Sequence, residues 1–146
     1  MSNCTLCQTT GGTLLWENDQ IRVIDALDLQ YPGFTRVIWK AHVAEMTDLS
    51  PADQQTLMQA VLQVETIQRR ILQPHKVNLA AFGNMVPHLH WHIIPRWRDD
   101  VHFPQPVWAE QPVADDNARN LHQRRQDAIN TLIPAYHAAI RSTMLS

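Results

Sequence analysis

The sequence predicts an α+β fold organised as a single domain over residues 1–146. Five short segments rich in β-forming residues are separated by turn residues, which is typical of strands. One long segment carries an apolar stripe with helical spacing. A short loop joins the last two strand segments, and this favours antiparallel pairing of the two strands. A chain of this length buries enough surface to fold without disulfide bonds.

The composition excludes several classes of partner. Twelve basic and fourteen acidic residues give a net charge of −2, whereas a protein that binds nucleic-acid grooves is basic. Small phosphorylated ligands remain possible, because a site can be locally cationic. No apolar run approaches the length of a membrane span, and the first residues lack the basic and apolar regions of a signal peptide. We therefore predict a cytoplasmic protein without nucleic-acid or membrane partners.

Three strand segments lie in the N-terminal part of the chain. Residues 14–17 and 21–25 are predicted to form two short strands that flank the turn residues Asn18 and Asp19. Residues 34–39 are rich in β-forming side chains and predict a third strand after a Pro-Gly turn.

The segment 51–72 predicts the long helix. Ser50 is a good N-cap, Pro51 suits the first helical position, and Asp53 is favourable at the positive end of the helix dipole. The helix is expected to end before Pro74. Four apolar side chains on its stripe are assigned to the core: Leu57, Val61, Val64 and Ile67.

The second half of the chain predicts two more strands and a helical tail. Residues 76–82 and 88–94 form the strands, and residues 83–87 form the loop between them. The segment that follows is polar and interrupted by prolines, so we expect an irregular loop. A helical region is predicted for residues 114–143, with two helices or a kink at Pro134.

Three histidines alternate with apolar residues in the last strand segment. In a strand, His88, His90 and His92 point to one face, and their neighbours Leu89 and Trp91 point to the other. Successive imidazoles would lie roughly 7 Å apart. The apolar face must meet a core, so the histidine face is available for chemistry.

Three interpretations of these histidines are open from the residues alone. They could be the polar face of a half-exposed strand, although three in register are hard to obtain by chance. Two of them could share a metal ion, because imidazole is a common metal ligand, but the outer pair is too far apart for both to bind one ion at about 2.1 Å. One of them could be a nucleophile that its neighbours position and keep neutral.

A Cys-x-x-Cys sequence lies near the N-terminus. Cys4 and Cys7 could form a redox pair, but such a pair is expected at a strand-to-helix turn of a thioredoxin-like unit. Half of a zinc site is the better functional interpretation, with two further ligands from elsewhere. Two unrelated reduced cysteines remain the alternative.

The segment His88-Leu89-His90-Trp91-His92-Ile93-Ile94 resembles the signature of the histidine-triad (HIT) superfamily of nucleotide hydrolases and transferases. The resemblance covers about residues 4–98, and residues 99–146 form a C-terminal extension. It implies a mostly antiparallel sheet with one long helix packed on it, followed here by a helical tail. It also implies a homodimer that acts on a purine nucleotide-type substrate.

The resemblance implies roles for the histidines and the cysteines. His90 would be the nucleophile, and His88 and His92 would orient it and contact phosphate. His42, after a short basic turn, matches a further histidine of the family. In bacterial members, zinc often joins the cysteine pair to two histidines, which implies a structural zinc held by Cys4, Cys7, His42 and His88.

The resemblance also implies substrate-binding residues. Asp25, at the end of the second strand, would hold the ribose hydroxyls, and Ile24 and Leu27 would contact the base. Asn84 matches a polar residue before the triad. Many members carry Gln or Gln-Ser where this chain has Asn84 and Met85, and a methionine cannot donate a strong hydrogen bond. This departure argues against efficient phosphoramidate cleavage and leaves the branch of the family open.

The predicted activity is hydrolysis or nucleotidyl transfer at the α-phosphate of a nucleoside phosphoramidate or a dinucleoside polyphosphate. A neutral imidazole can attack phosphorus, and water can then hydrolyse the nucleotidyl-His90 intermediate without a cofactor. Two other classes remain open. One is a metalloenzyme that uses His88, His90 and His42, and the other is a non-catalytic module that binds nucleotide or zinc.

Overall fold

The computed structural model describes residues 3–144 and contains a five-stranded sheet in the order β1-β2-β3-β5-β4. Every neighbouring pair is antiparallel, which confirms the predicted sheet. The strands are β1 (Thr13–Glu17), β2 (Ile21–Asp25), β3 (Thr35–Trp39), β4 (Lys76–Ala80) and β5 (His90–Arg96). Short helix α1 (Thr5–Gln8) precedes the sheet.

Helix α2 (Pro51–Leu72) is the predicted long helix. The Ser50 side chain accepts a hydrogen bond from the backbone N–H of Asp53, as expected for an N-cap. At the other end, Gln73 adopts a left-handed conformation with φ of 52° and ends the helix. The four side chains assigned to the core are buried, and burial of each aliphatic side chain is worth about 1.5–3 kcal/mol.

The predicted helical tail forms two helices, α3 (Asp116–Asn130) and α4 (Ile133–Thr143). The break lies just before Pro134, because this proline occupies the first turn of α4, where its missing N–H is not needed. Tyr136 and Ile140 of α4 are fully buried in the same core as α2. The tail is therefore part of the domain core. Within residues 3–144, no helix is long and apolar enough to cross a membrane.

The two faces of the sheet have different surroundings. Val23, Val37 and Ile93 point into the core formed with α2 and α4. The opposite face, which we call the open face, carries Arg36 opposite His92 and Ile38 opposite His90. Leu6 of α1 covers one end of the open face by packing against Ile24 and Ile38.

The predicted boundaries around the triad require correction. Strand β4 ends at Ala80, and β5 begins at His90 rather than at residue 88. The connection is therefore longer than the predicted loop and contains His88, whose backbone N–H bonds the Val86 carbonyl. His88 leaves the strand because its ring is directed towards the cysteine pair. The third strand also begins one residue later than predicted, at Thr35.

Candidate functional site

His90 is held in one tautomer by the backbone. Its Nδ1 lies 2.5 Å from the carbonyl oxygen of His88, so Nδ1 carries the proton and donates it. Nε2 then keeps its lone pair. Burial lowers the pKa of His90, and the nearby charge of Arg36 acts in the same direction. The imidazole is therefore neutral at pH 7, the form in which a histidine can attack.

His92 lies beside His90 on the open face, with ring centroids 4.9 Å apart. Nε of Arg36 donates to Nδ1 of His92 over 3.3 Å, which leaves the proton on Nε2 of His92. Burial lowers the pKa of His92 to about 3, and the electrostatic effects of His90 and of the Arg36 charge act in the same direction. Nε2 of His90 is therefore a hydrogen-bond acceptor, and Nε2 of the neutral His92 is a donor.

A cavity of about 430 Å³ opens over these two histidines. His90, His92 and the predicted residue Asn84 line it, together with Arg36. Apolar groups of the N-terminal segment and of the loop before β5 line it near Ile38: Leu6, Gly11 and Val86. The aromatic rings of Phe82 and Trp108 line it beside His92.

The predicted residues for ribose and base lie outside this lining. Ile24 is fully buried under Leu6, and Leu27 is 61% exposed with a φ of 59°. Asp25 is buried, and its Oδ1 accepts the Leu27 backbone N–H at 2.7 Å. Its Oδ2 lies 2.7 Å from Nε2 of His137 on α4. Asp25 is therefore already held from two sides by the protein.

Four of the predicted residues form a compact group beside the triad loop. The ligand atoms of Cys4, Cys7, His42 and His88 all lie within 4.8 Å of one another. Nδ1 of His88 lies 3.3 Å from Cys4 Sγ and 3.2 Å from Nδ1 of His42. A tetrahedral zinc with bonds of about 2.0–2.3 Å would separate its ligand atoms by similar distances.

The tautomer and neutral charge state of His88 suit a metal ligand, whereas burial and the neighbouring Cys4 raise the pKa of the Cys7 thiol. Nε2 of His88 donates to the Trp39 carbonyl over 2.6 Å, which leaves Nδ1 without a proton and orients the ring. Burial lowers the pKa of His88 and keeps it neutral. Burial opposes ionisation of Cys4, but hydrogen bonds from Cys7 hold the pKa of the Cys4 thiol below its ordinary value. Both nitrogens of His88 are thus engaged away from the cavity.

Sequence reasoning missed Arg36, Phe82, Trp108 and His137. The sequence could have indicated Arg36, because it is the one charged residue within the third strand. Side-chain alternation places it on the face opposite the core residues Val37 and Trp39. The other three had no such signal, because Phe82 and Trp108 reach the cavity from loops and His137 reaches Asp25 from α4.

The fold and the site define a class of small α+β proteins with neutral imidazoles on the open face of an antiparallel sheet. The chain belongs to the HIT family, since the family described as "HIT domain" matches residues 10–99. The prediction of this family is confirmed.

Two curated relatives have nucleotide-related names. The chain is 30% identical over 78 residues to a Mycobacterium tuberculosis protein named "AP-4-A phosphorylase", in a match covering 49% of this chain and 40% of that protein. It is 28% identical over 96 residues to a "Bis(5'-nucleosyl)-tetraphosphatase [asymmetrical]" of Schizosaccharomyces pombe, covering 62% and 53%. The chain thus spans about half the length of these relatives.

Solved structures share the fold. A histidine triad protein from Bradyrhizobium japonicum is 30% identical with a TM-score of 0.64, and the match covers 84% of this chain and 91% of that one. A histidine triad protein from Marinobacter aquaeolei has 26% identity, the same TM-score and the same coverage. A zinc-bound family protein from Mycobacterium smegmatis is 19% identical with a TM-score of 0.55, covering 89% and 97%, and shows the fold alone.

Proposed function

We propose that the protein cleaves a nucleotide at its α-phosphate through a covalent nucleotidyl-His90 intermediate. The observation that carries this proposal is the hydrogen bond from Nδ1 of His90 to the His88 carbonyl. This bond leaves Nε2 unprotonated on a residue that lines the cavity. Nε2 attacks the α-phosphorus, the bond to the leaving group breaks, and water then hydrolyses the intermediate.

The surrounding residues supply positioning and charge neutralisation. His92 carries a proton on Nε2 that can be donated to a phosphoryl oxygen, and Asn84 offers an amide. Arg36 adds a positive charge beside His92. His88 acts through its carbonyl on His90, because both of its ring nitrogens are engaged elsewhere. Fixed donors of this kind stabilise charge on phosphoryl oxygens without reorganisation.

A turnover screen tests the proposed activity. Nucleoside phosphoramidates and dinucleoside polyphosphates are incubated with the purified protein, and released mononucleotide is measured by chromatography. We expect turnover of at least one class without added metal. Binding without turnover in both classes would instead favour the non-catalytic nucleotide-binding alternative.

The metalloenzyme alternative receives no support from the geometry. Cys4, Cys7, His42 and His88 converge, whereas His90 is not a member of this group. We propose that zinc bound by these four residues would be structural, because four protein ligands leave no open position. It would fix the loop that carries the His88 carbonyl beneath His90.

Elemental analysis checks the zinc proposal. Protein purified without chelator or a metal-affinity tag should contain close to one zinc per chain. Cys4→Ser should remove most of it, since a structural site needs all four ligands. A matched control, Ser50→Ala, lies at the N-cap of α2 and should retain the metal. Failure to load zinc into a folded wild-type protein would contradict the proposal.

Ribose recognition by Asp25 remains a prediction with a specific test. Each carboxylate oxygen keeps a lone pair beyond its bonds to Leu27 and His137, so it can still accept a hydroxyl. Asp25→Ala should weaken ribonucleotide binding more than deoxyribonucleotide binding, by about tenfold for a lost hydrogen bond to a charged group. Calorimetric titration of both sugars measures the difference, and equal losses would assign Asp25 a purely structural role.

A homodimer also remains a prediction. Strand β4 is an edge strand of the sheet, and edges of this kind are commonly covered by another chain. Light scattering at micromolar concentration should therefore report about twice the chain mass. A single species at the monomer mass across this range would refute the dimer.

A further inference from the structure

Arg36 is a half-buried cation in the middle of the open face. Its Nε is bonded to His92, and its guanidinium carbon lies 5.4 Å from the centre of the Phe34 ring. Within residues 3–144, no carboxylate forms an ion pair with it. Burial lowers the pKa of Arg36, and the charge of Asp28 offsets this effect only in part. A guanidinium in this position, at the wall of a cavity, is suited to bind an anion that enters with the substrate.

An aromatic pair lies next to Arg36 at one end of the cavity. The rings of Phe82 and Trp108 are 4.6 Å apart and nearly perpendicular, at 80°. The Trp108 ring lies 5.1 Å from that of His92 and 6.4 Å from that of Phe34. Trp108 is 49% exposed and Phe82 59% exposed. Large ring surfaces therefore remain available for a planar ligand.

The register of the sheet places this pair beyond the nucleophile. Along β3, Ile38 lies opposite His90, and Arg36 lies opposite His92. Leu6 covers Ile38, whereas Trp108 contacts His92. The cavity thus runs from an apolar end beside His90 to an aromatic and cationic end beside His92. A substrate cleaved at His90 would place its two halves at these two ends.

We propose that Arg36, Phe82 and Trp108 form a subsite for the leaving group, and that this subsite accepts a phosphate joined to a nucleobase. The proposal rests on the proposed function and specifies its substrate class as dinucleoside polyphosphates. Arg36 binds the leaving phosphates, and the base stacks on Trp108 or Phe82. Base stacking on aromatic side chains is a general mode of recognition.

The release of the leaving group agrees with this assignment. As the bond from Nε2 of His90 to the α-phosphorus forms, the bond from phosphorus to the bridging oxygen breaks. The electron pair stays on that oxygen, and the leaving nucleoside phosphate departs as an anion that Arg36 neutralises. It needs no proton. An amine leaving group does need one, and Met85 cannot supply it.

The test compares three substrates that share one adenylyl half. Adenosine phosphoramidate has a small leaving group, adenosine tetraphosphate adds phosphates, and diadenosine tetraphosphate adds phosphates and a base. Arg36→Gln should lower kcat/KM for both polyphosphates relative to the phosphoramidate by about 10- to 100-fold, the effect of a lost charge-assisted hydrogen bond. Arg36→Lys should recover part of this ratio, and the exposed arginine control Arg69→Gln should not change it.

The aromatic pair is tested with the same substrates. Trp108→Leu should lower the ratio of kcat/KM for diadenosine tetraphosphate to that for adenosine tetraphosphate by about tenfold, whereas Trp108→Phe should preserve most of it. If the wild-type protein turns over these substrates but the kcat/KM ratios are unchanged in Arg36→Gln and Trp108→Leu, the subsite is refuted and the proposed function is not. Absence of wild-type turnover for all three substrates would overturn the proposed function and the subsite with it.

Discussion

Replacement of His90 by alanine should abolish turnover, with a loss of at least about 10⁴-fold, as expected when a nucleophile is removed. The side chain supplies the atom that forms the covalent bond, so no change in substrate concentration can compensate. Its ring is packed beside His92 at the edge of a cavity. Removal of the ring should therefore leave the fold and nucleotide binding largely intact.

Mass spectrometry gives the direct measurement. Reactions quenched without acid should yield a nucleotidyl adduct on the peptide that contains His90. His92→Ala should reduce the rate but leave residual turnover, because His92 donates to phosphate without forming a bond. His122→Ala, on α3 outside the cavity, is the matched control and should react at the wild-type rate. Persistent turnover in His90→Ala, or an adduct on another residue, would refute the mechanism.

Asp100→Asn should lower the free energy of unfolding by about 3–5 kcal/mol, the usual consequence of leaving a buried charge without its partner. The Arg96–Asp100 pair is almost fully buried, with an Nε–Oδ2 distance of 2.8 Å and a second bond from Nη2 to Oδ1. Asp100 also accepts backbone N–H groups of the loop after β5, from Trp97, His102 and Phe103. The pair therefore holds the start of the segment that carries Trp108.

Chemical denaturation with a neighbouring control measures this effect. Asp99→Asn removes a partly exposed ion pair with Arg125 and should change stability by at most about 1 kcal/mol. Similar losses of unfolding free energy for Asp99→Asn and Asp100→Asn would show that the buried ion pair contributes no more to stability than the more exposed one.

The pH dependence of stability provides a second measurement. Although burial raises the pKa of Asp100, its bonds to Arg96 and to the loop N–H groups lower it more. A carboxyl whose folded-state pKa lies below its unfolded value stabilises the fold at neutral pH. This stabilisation is lost as the pH falls below about 3.9 towards the folded-state pKa. Asp100→Asn should lack this part of the acid dependence.

The pairing of His90 with His92 on one face was predictable, because side-chain alternation is a local property of a strand. The helix 51–72 was predictable for the same reason, since Ser50, Pro51 and the apolar stripe act within a few residues of one another. The place of His88 was not predictable in this way. The alternating pattern predicted that His88 belongs to the strand. In the structure its ring instead contacts Cys4 and the Trp39 carbonyl, and His88 lies in the loop before the strand.

The sequence by itself determined the fold class, the family motif and which residue types are available for chemistry at the open face. Only the tertiary structure decided which of these residues come into contact. Cys4 reaches His88 across 84 residues of chain, and Asp25 reaches His137 across 112. Likewise, Trp108 lies against His92 only because the loop after β5 folds back over the sheet. Such contacts depend on how whole elements pack to bury apolar surface, and that packing leaves no periodic trace in the sequence around each residue.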